Sequence, residues 1–438
     1  MRSTISTLTL AAAVLAAVPA AAQRGPEASS SRNPVNLQYM APRDQGGINV
    51  FEQPKVAGVE YTGFALNWGA AFTQQFQSLH HENATTPRTE ATTLKVIGNG
   101  FNNATANLYM GAQLAKGIRV QLTSYLSSRR HNETWVKDGF LQVDESPVDV
   151  PILNKLMEYA TVRFGHFEVN YGDAHFRRTD NGNAMVNPFV GNLILDAFTT
   201  EVGGDVLLRH PSGVFGMIAM TNGEIRGTVV TPRNRGEAFM FKAGYDKQLN
   251  EDLRVRVSAS HRDHASANSA TLYAGDRAGS RYYWVMENGV AATTEASAFR
   301  SGLVNPEFSD KNTATMFNPF VKFRGLEVFG VVEQAEGRTA AETETRTFKQ
   351  TAADVIYRFG QTERTYVAGR VNSVSGRPRG LTEDVTVDRV AFGAGWFITP
   401  SLLMKGEYVS QEYKDYPATS IFHGGKFKGF VIEGVVVF

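Results

Sequence analysis

The chain has 438 residues, with 44 lysines and arginines against 43 aspartates and glutamates and no cysteine. A formal charge of +1 lacks the basic excess that a nucleic-acid partner wants, and the missing thiols exclude a disulfide framework and a thiolate metal site. No apolar run approaches the roughly 20 residues of a membrane helix, yet 41 glycines, 28 phenylalanines and 15 tyrosines accompany many alternating segments, the mark of an aromatic-rich β protein.

The chain opens on MRSTISTLTLAAAVLAAVPAAAQ. Arg2 precedes an apolar run from about Leu8 to Val18, and Ala20, Ala21 and Ala22 precede Gln23. This is the pattern of a secretory signal peptide over residues 1–22, cleaved on export. No cysteine follows for a lipoprotein anchor. Residues 23–57 are rich in Ser, Pro, Arg and Gly and read as a periplasmic N-terminal tail, or as a strap entering whatever residues 58–438 build.

From there the sequence alternates with a period of two, which is a strand period. Sixteen candidate strands fall near 61–79, 104–115, 117–127, 134–144, 156–169, 201–210, 213–222 and 236–248, then 252–262, 312–323, 326–336, 347–358, 365–375, 385–398, 402–413 and 426–438. Short turns (AKG, HPSG, LNED, FRG, GQTER, ITPS) alternate with longer polar loops. Only ESPVDVPILNK lengthens the short side. Short connections at one end and long ones at the other predict an outer-membrane barrel with periplasmic turns and external loops. An even strand count returns the C-terminus to the side where the N-terminus began.

The faces follow from parity. Leu253, Val255, Val257 and Ala259 form one face, and Arg254, Arg256, Ser258, Ser260 and Arg262 the other. Phe64, Leu66, Trp68, Ala70 and Phe72 share one side of the first strand. The final strand, GGKFKGFVIEGVVVF, places Phe430, Ile432, Gly434, Val436 and Phe438 on one face. A bare, half-apolar terminal strand invites aggregation in water and is accounted for when it closes a barrel and faces lipid. A secreted β-sandwich would also alternate, but it leaves the terminal Phe and the two loop lengths without a reason.

These residues carry a resemblance. Phe438 on an alternating last strand resembles the C-terminal signature of bacterial outer-membrane barrels, which the barrel-assembly machinery reads. YATVRFGHFEVNYG (159–172), a long loop, and GGDVLLRHPSGVFGMIAMTNGE resemble the central region of Gram-negative porins, especially the phosphate-selective type. The resemblance implies a sixteen-stranded antiparallel barrel in the outer membrane, a homotrimer, and a loop after the fifth strand that folds into the lumen and narrows it.

The matching loop, 173–200, carries Asp173, His175, Arg177, Arg178, Asp180 and Asp196. Its second half (Phe189, Val190, Leu193, Ile194, Leu195) is apolar, unlike a solvated loop. Parity directs Arg119, Arg163, Arg209, Lys242, Arg254, Arg256, Arg262, Lys322, Arg358, Arg370, Arg389 and Lys405 inward, with Asp205, Asp246, Glu327, Glu333, Asp354, Glu407 and Glu433. Twelve bases against seven acids make the wall mildly basic, and basic rings favour anions. The expected pore constriction is the loop facing Arg119, Arg163, Arg254, Arg256 and Arg262. The expected function is passive diffusion of small hydrophilic solutes with a weak anion preference. A phosphate-specific channel is the second reading. A surface adhesin or anchor, with the 49 residues from Asp263 to Lys311 as an external platform, is the third.

Enzymatic signals are slight. Asp173/His175 and Asp263/His264 are conceivable acid–base pairs, without a G-x-S-x-G or H-E-x-x-H context. His80 and His81 have no further ligand at useful spacing. Neither a metal nor a cofactor is expected. An energised transporter needs about 22 strands and a plug, which this chain is too short to supply.

Overall fold

The computed structural model describes residues 36–128, 134–225, 236–265, 270–274, 281–289 and 298–438. The expected signal peptide lies outside these residues. One antiparallel sheet of seventeen strands closes on itself, and β2 within it is only two residues long, so sixteen long strands make the wall. They are β1 (Ala65–Glu82), β3 (Thr105–Ala115), β4 (Ile118–Ser127), β5 (Thr134–Val143), β6 (Ala160–Glu168), β7 (Thr200–Arg209), β8 (Val214–Thr221) and β9 (Ala238–Gln248), followed by β10 (Leu253–His264), β11 (Lys311–Phe323), β12 (Leu326–Arg338), β13 (Arg346–Phe359), β14 (Thr365–Gly376), β15 (Val385–Thr399), β16 (Leu402–Lys414) and β17 (Lys426–Val437). β1 closes the ring, pairing with β17 from Ala71↔Val437 to Glu82↔Lys426 and with β3 from Ala65↔Gln113 to Thr73↔Thr105. A closed ring leaves no strand edge unpaired, which a hydrocarbon solvent demands.

All sixteen expected strands are present, and the departures have local causes. β1 has 18 residues and overhangs β3, which has 11. The overhang is partly covered by β2 (Gly100–Phe101), which pairs Phe101 with Phe76 and was not expected. In the long short-side connection, Pro151 starts a helix running to Met157, where its fixed φ and missing N–H are harmless. β6 consequently begins at Ala160, not near 156. In β5 the register skips between Thr123↔Asp138 and Ser124↔Val136. That bulge turns both Lys137 and Asp138 inward and buries them.

Parity sorts the wall as expected. Leu66, Trp68 and Phe72 are 46%, 64% and 44% exposed on the outer face, with Phe241, Phe317, Val332, Val371, Phe392 and Phe430 continuing the apolar band. Phe438 ends the band, 71% exposed, and its backbone exchanges two hydrogen bonds with Ala70. The inner face is charged and nevertheless buried, and Arg119, Arg256, Arg262 and Arg389 are among its largest fully covered side chains. Three segments fill the interior and cover them: residues 36–57, the loop 169–199, and the described parts of 263–311. Leu272, Tyr273, Tyr282, Val285 and Met286 of that last segment are buried. The described parts of the expected external platform therefore fold inward, because their apolar side chains find a partner in the in-folded loop.

Candidate functional site

The loop between β6 and β7 crosses the lumen, and its two halves are held differently. The first half is held by charge. Asp173 accepts a bidentate pair from Arg256 (2.8 and 2.8 Å) and a bond from Ser258 Oγ (2.7 Å), with Lys242 Nζ at 2.7 Å. Burial pushes the Asp173 carboxyl up, but the Lys242 and Arg256 charges outweigh it and hold it below its ordinary value. His175 bonds Glu168 (2.6 Å) and Asn170 (3.2 Å), and burial lowers its pKa. Arg177 bonds Asn49 and Glu327 and lies over the rings of Phe320 and Phe329. Arg178 grips Asp196 with two bonds (2.9 and 2.6 Å) while stacking 4.0 Å from Phe198. Asp180 accepts from Tyr125 and from Lys137 Nζ at 2.7 Å. Beside it Gly182 lies against the wall. A Cβ there would come 2.5 Å from Ala106 Cα and 2.7 Å from the Ala71 carbonyl oxygen.

The second half is held by backbone bonds and apolar packing. Lys405 Nζ donates to the carbonyls of Ala184, Asn187 and Phe189 at 2.8 to 2.9 Å and pairs with Glu433 at 3.0 Å. Glu407 accepts from the N–H groups of Val190 and Gly191 (2.8 and 3.1 Å), and Asn372 and Gln350 accept from Ile194 and Leu195. Val190, Leu193, Ile194 and Leu195 join a core with Phe308, Phe320, Phe329 and Phe348. From above, Val304 N–H donates to Ile194, Phe198 N–H to Leu272, and Tyr282 OH to Glu407.

Residues 36–57 approach the loop from the turn side. Glu52 takes two bonds from Arg256 (2.9 and 2.9 Å) and lies 3.2 Å from Lys242. Burial pushes its carboxyl up, but Arg256 and Lys242 overcome this and hold it well below the ordinary range. Phe51 packs edge-on to Phe176 and Phe320, with the Arg256 guanidinium 4.2 Å from its ring. Between this strap, the loop and β3–β7 lies a cavity of about 230 Å³.

Of the wall arginines expected to face the loop, only Arg256 touches one of its named acids. Arg163 pairs with Asp205 across β6–β7, Arg254 with Asp246 (2.8 and 2.7 Å) and the Asn49 carbonyl, and Arg262 with Glu201 at 2.7 Å. Arg119 donates to Gln142 (2.8 Å) and to the Tyr39 carbonyl of the strap. The partners that sequence reasoning omitted are Glu52, Lys137, Glu168 and Glu201. Glu201 was findable, being four residues before Asp205 on the same strand face. Lys137 was not, because the bulge breaks parity. The conceivable catalytic pairs come apart: Asp173 and His175 bind different partners, and Asp263 faces outward to Thr313 while His264 is fully buried inside. His81 ties loops together, through the Lys95 carbonyl and Met286 N–H.

No family model matches the sequence, and no curated protein is significantly similar to it. Solved structures do match in fold. An anion-selective porin from Comamonas acidovorans has a TM-score of 0.51 at 9% identity, over 86% of this chain and 100% of that one. OprB of Pseudomonas putida gives 0.51 at 10% identity, over 86% and 94%. The trimer form of OmpT, an outer-membrane protein of Vibrio cholerae, gives 0.50 at 9% identity, over 86% and 100%. At these identities the likeness is one of fold: a closed sixteen-stranded barrel of the outer-membrane type.

Proposed function

We propose that this protein is an outer-membrane channel through which small hydrophilic solutes diffuse passively. The observation that carries this reading is the combination of a lipid-facing apolar band with a charged interior narrowed by an in-folded loop. With the strands supplying width and the loop supplying the constriction, field and size discriminate solutes. The path runs beside the charged half of the loop, where the cavity lies, because the other half is sealed by apolar packing. The basic excess of the strand walls is reduced, though not cancelled, by the added acids Glu52, Glu168 and Glu201, with Lys137 the one base added beside them, so any anion preference is slight. A phosphate-specific ladder needs guanidinium groups free to bind, and Arg254, Arg256 and Arg262 are each engaged by carboxylates. The general channel is therefore preferred.

Export through cleavage of residues 1–22, assembly guided by Phe438, and a homotrimer belong to the same reading. The exposed Leu66, Trp68 and Phe72, with small Ala70 between them, offer a flat apolar subunit contact, and the OmpT structure named above is described as a trimer. Mass measurement in detergent checks the assembly, and a monomer alone overturns it. Single-channel recording in a planar bilayer tests the function. Small, passive steps of conductance are expected; a reconstituted barrel that carries no current overturns the channel.

A further inference from the structure

The strap that floors the cavity is closed on itself. Tyr39 N–H donates to the Ala57 carbonyl (3.0 Å) and Ala41 N–H to the Gln53 side chain (2.8 Å), so residues 41–53 leave and return at one place. A loop of this length with adjacent ends is an Ω-loop. Its body crosses the bore. Near its start Arg43 donates to Asn67 of β1 (3.1 Å), and Gln45 N–H to the Pro400 carbonyl in the β15–β16 turn (2.9 Å). Farther on, Arg254 of β10 donates to the Asn49 carbonyl (3.0 Å), and Glu52 holds Arg256 (2.9 and 2.9 Å). In the ring of sixteen long strands β1 and β10 stand opposite, eight strands apart by either route. A segment bonded to both passes over the middle of the turn-side mouth. Met40, Arg43, Val50 and Glu52 also line the cavity beside the charged half of the in-folded loop, so the strap stands between that cavity and the turn side.

Its hold on the wall is mainly polar. Of residues 41–53 only Gly47, Asn49 and Phe51 are buried, whereas nearly every residue of 173–200 is. Apolar burial is the dominant favourable term in packing, so of the two the strap detaches at the lower cost. The connection to β1 leaves it room to swing. Gly58 and Gly63 have φ of 73° and 118°, and nothing lies within 4 Å of a Cβ built on either. We propose that residues 41–53 are a plug that shuts the turn-side mouth when seated and opens it when swung out on the 57–63 hinge. Solutes cross only in the open state, and the seated state is the one described here. The plug rests on the channel reading above and adds a gate to it.

The test uses the chain's lack of cysteine. The double variant Gln45→Cys/Pro400→Cys adds a single disulfide, between backbones already hydrogen-bonded and therefore within disulfide reach. Current per reconstituted protein in a planar bilayer is compared for the wild type, the oxidised double variant, and a barrel lacking residues 42–52, whose flanking Ala41 and Gln53 already meet. The wild type should conduct in intermittent steps. The oxidised variant is expected to carry at least tenfold less current and to regain the wild-type level on reduction with dithiothreitol. The shortened barrel is expected to carry at least threefold more than the wild type, without closures. The comparison of oxidised with reduced protein uses one folded chain and stands even where the shortened one fails to fold. An oxidised variant that conducts as well as its reduced form, or a folded shortened barrel that conducts no more than the wild type, overturns the plug and leaves the channel standing. No current from any of the three, the shortened barrel included, sinks the channel and the plug with it.

Discussion

The two halves of the in-folded loop solve one problem by different means. Residues 173–183 are fixed by carboxylates and guanidinium groups and leave a charged cavity beside them. Residues 184–199 are fixed by carbonyls, N–H groups and aliphatic side chains, and leave little space against β13–β17. A buried ion-pair network tolerates room between its members, since charge acts over distance. Apolar packing does not, because a gap of about 0.5–1 Å already forfeits a quarter to a half of its attraction. On the proposed channel reading the difference puts the path beside the charged half, and it makes the two halves separable by mutation.

The largest effect is expected on the sealed side. Lys405→Met removes three donated bonds to the loop and leaves Glu433 with Arg281 as its remaining cation. Breaking a buried, hydrogen-bonded charge of this kind costs on the order of 3–5 kcal/mol. The denaturation midpoint of the detergent-folded barrel should fall accordingly, and conductance should rise as the loop's second half loosens. An unchanged midpoint contradicts the clamp.

Asp173→Asn acts on the charged side and should cost less, about 2 kcal/mol, because Glu52 still faces Arg256 and Lys242. Its clearer readout is selectivity. Two bases lose an acid, so the channel should shift toward anions in a salt gradient; a shift toward cations would falsify this assignment.

Acid tests the strap. Glu52 has a folded pKa held below its unfolded value of about 4.3. Its contribution is thus fully present above pH ~4.3 and is lost as pH falls through the folded pKa. Proteolysis of residues 36–57 should be slow at pH 7 and accelerate only below about pH 4. Glu52→Gln should remain cleavable at both. Smallest of all is Arg178→Lys, which keeps the charge facing Asp196 but loses the planar fork, at about 1 kcal/mol.

The barrel was legible because alternation is written locally: LRVRVSASHR shows its inner and outer faces without any knowledge of its neighbours. The wall charges followed from the same parity. What was hidden depends on long-range meetings. That Arg256 is shared by Asp173, Glu52 and Asp246 joins three segments that no spacing links. Lys137 was missed because a one-residue bulge cancels parity, and β2 because it exists only where β1 outreaches its neighbour. The inward fold of the described parts of 263–311 could not be separated from an external platform, since the aromatic Tyr273 and Tyr282 suit either until the partners Glu333 and Glu407 are in place.

The central claim is a conducting lumen whose charges neutralise one another around Arg256. It is tested most directly by the reversal potential across a bilayer in a salt gradient, for the wild type and for the double variant Arg254→Ala/Arg256→Ala. The wild type should reverse near zero, on the anion side. The double variant uncovers Asp173, Glu52 and Asp246 and should turn cation-selective. A strongly cation-selective wild type, or a double variant with unchanged selectivity, contradicts the account.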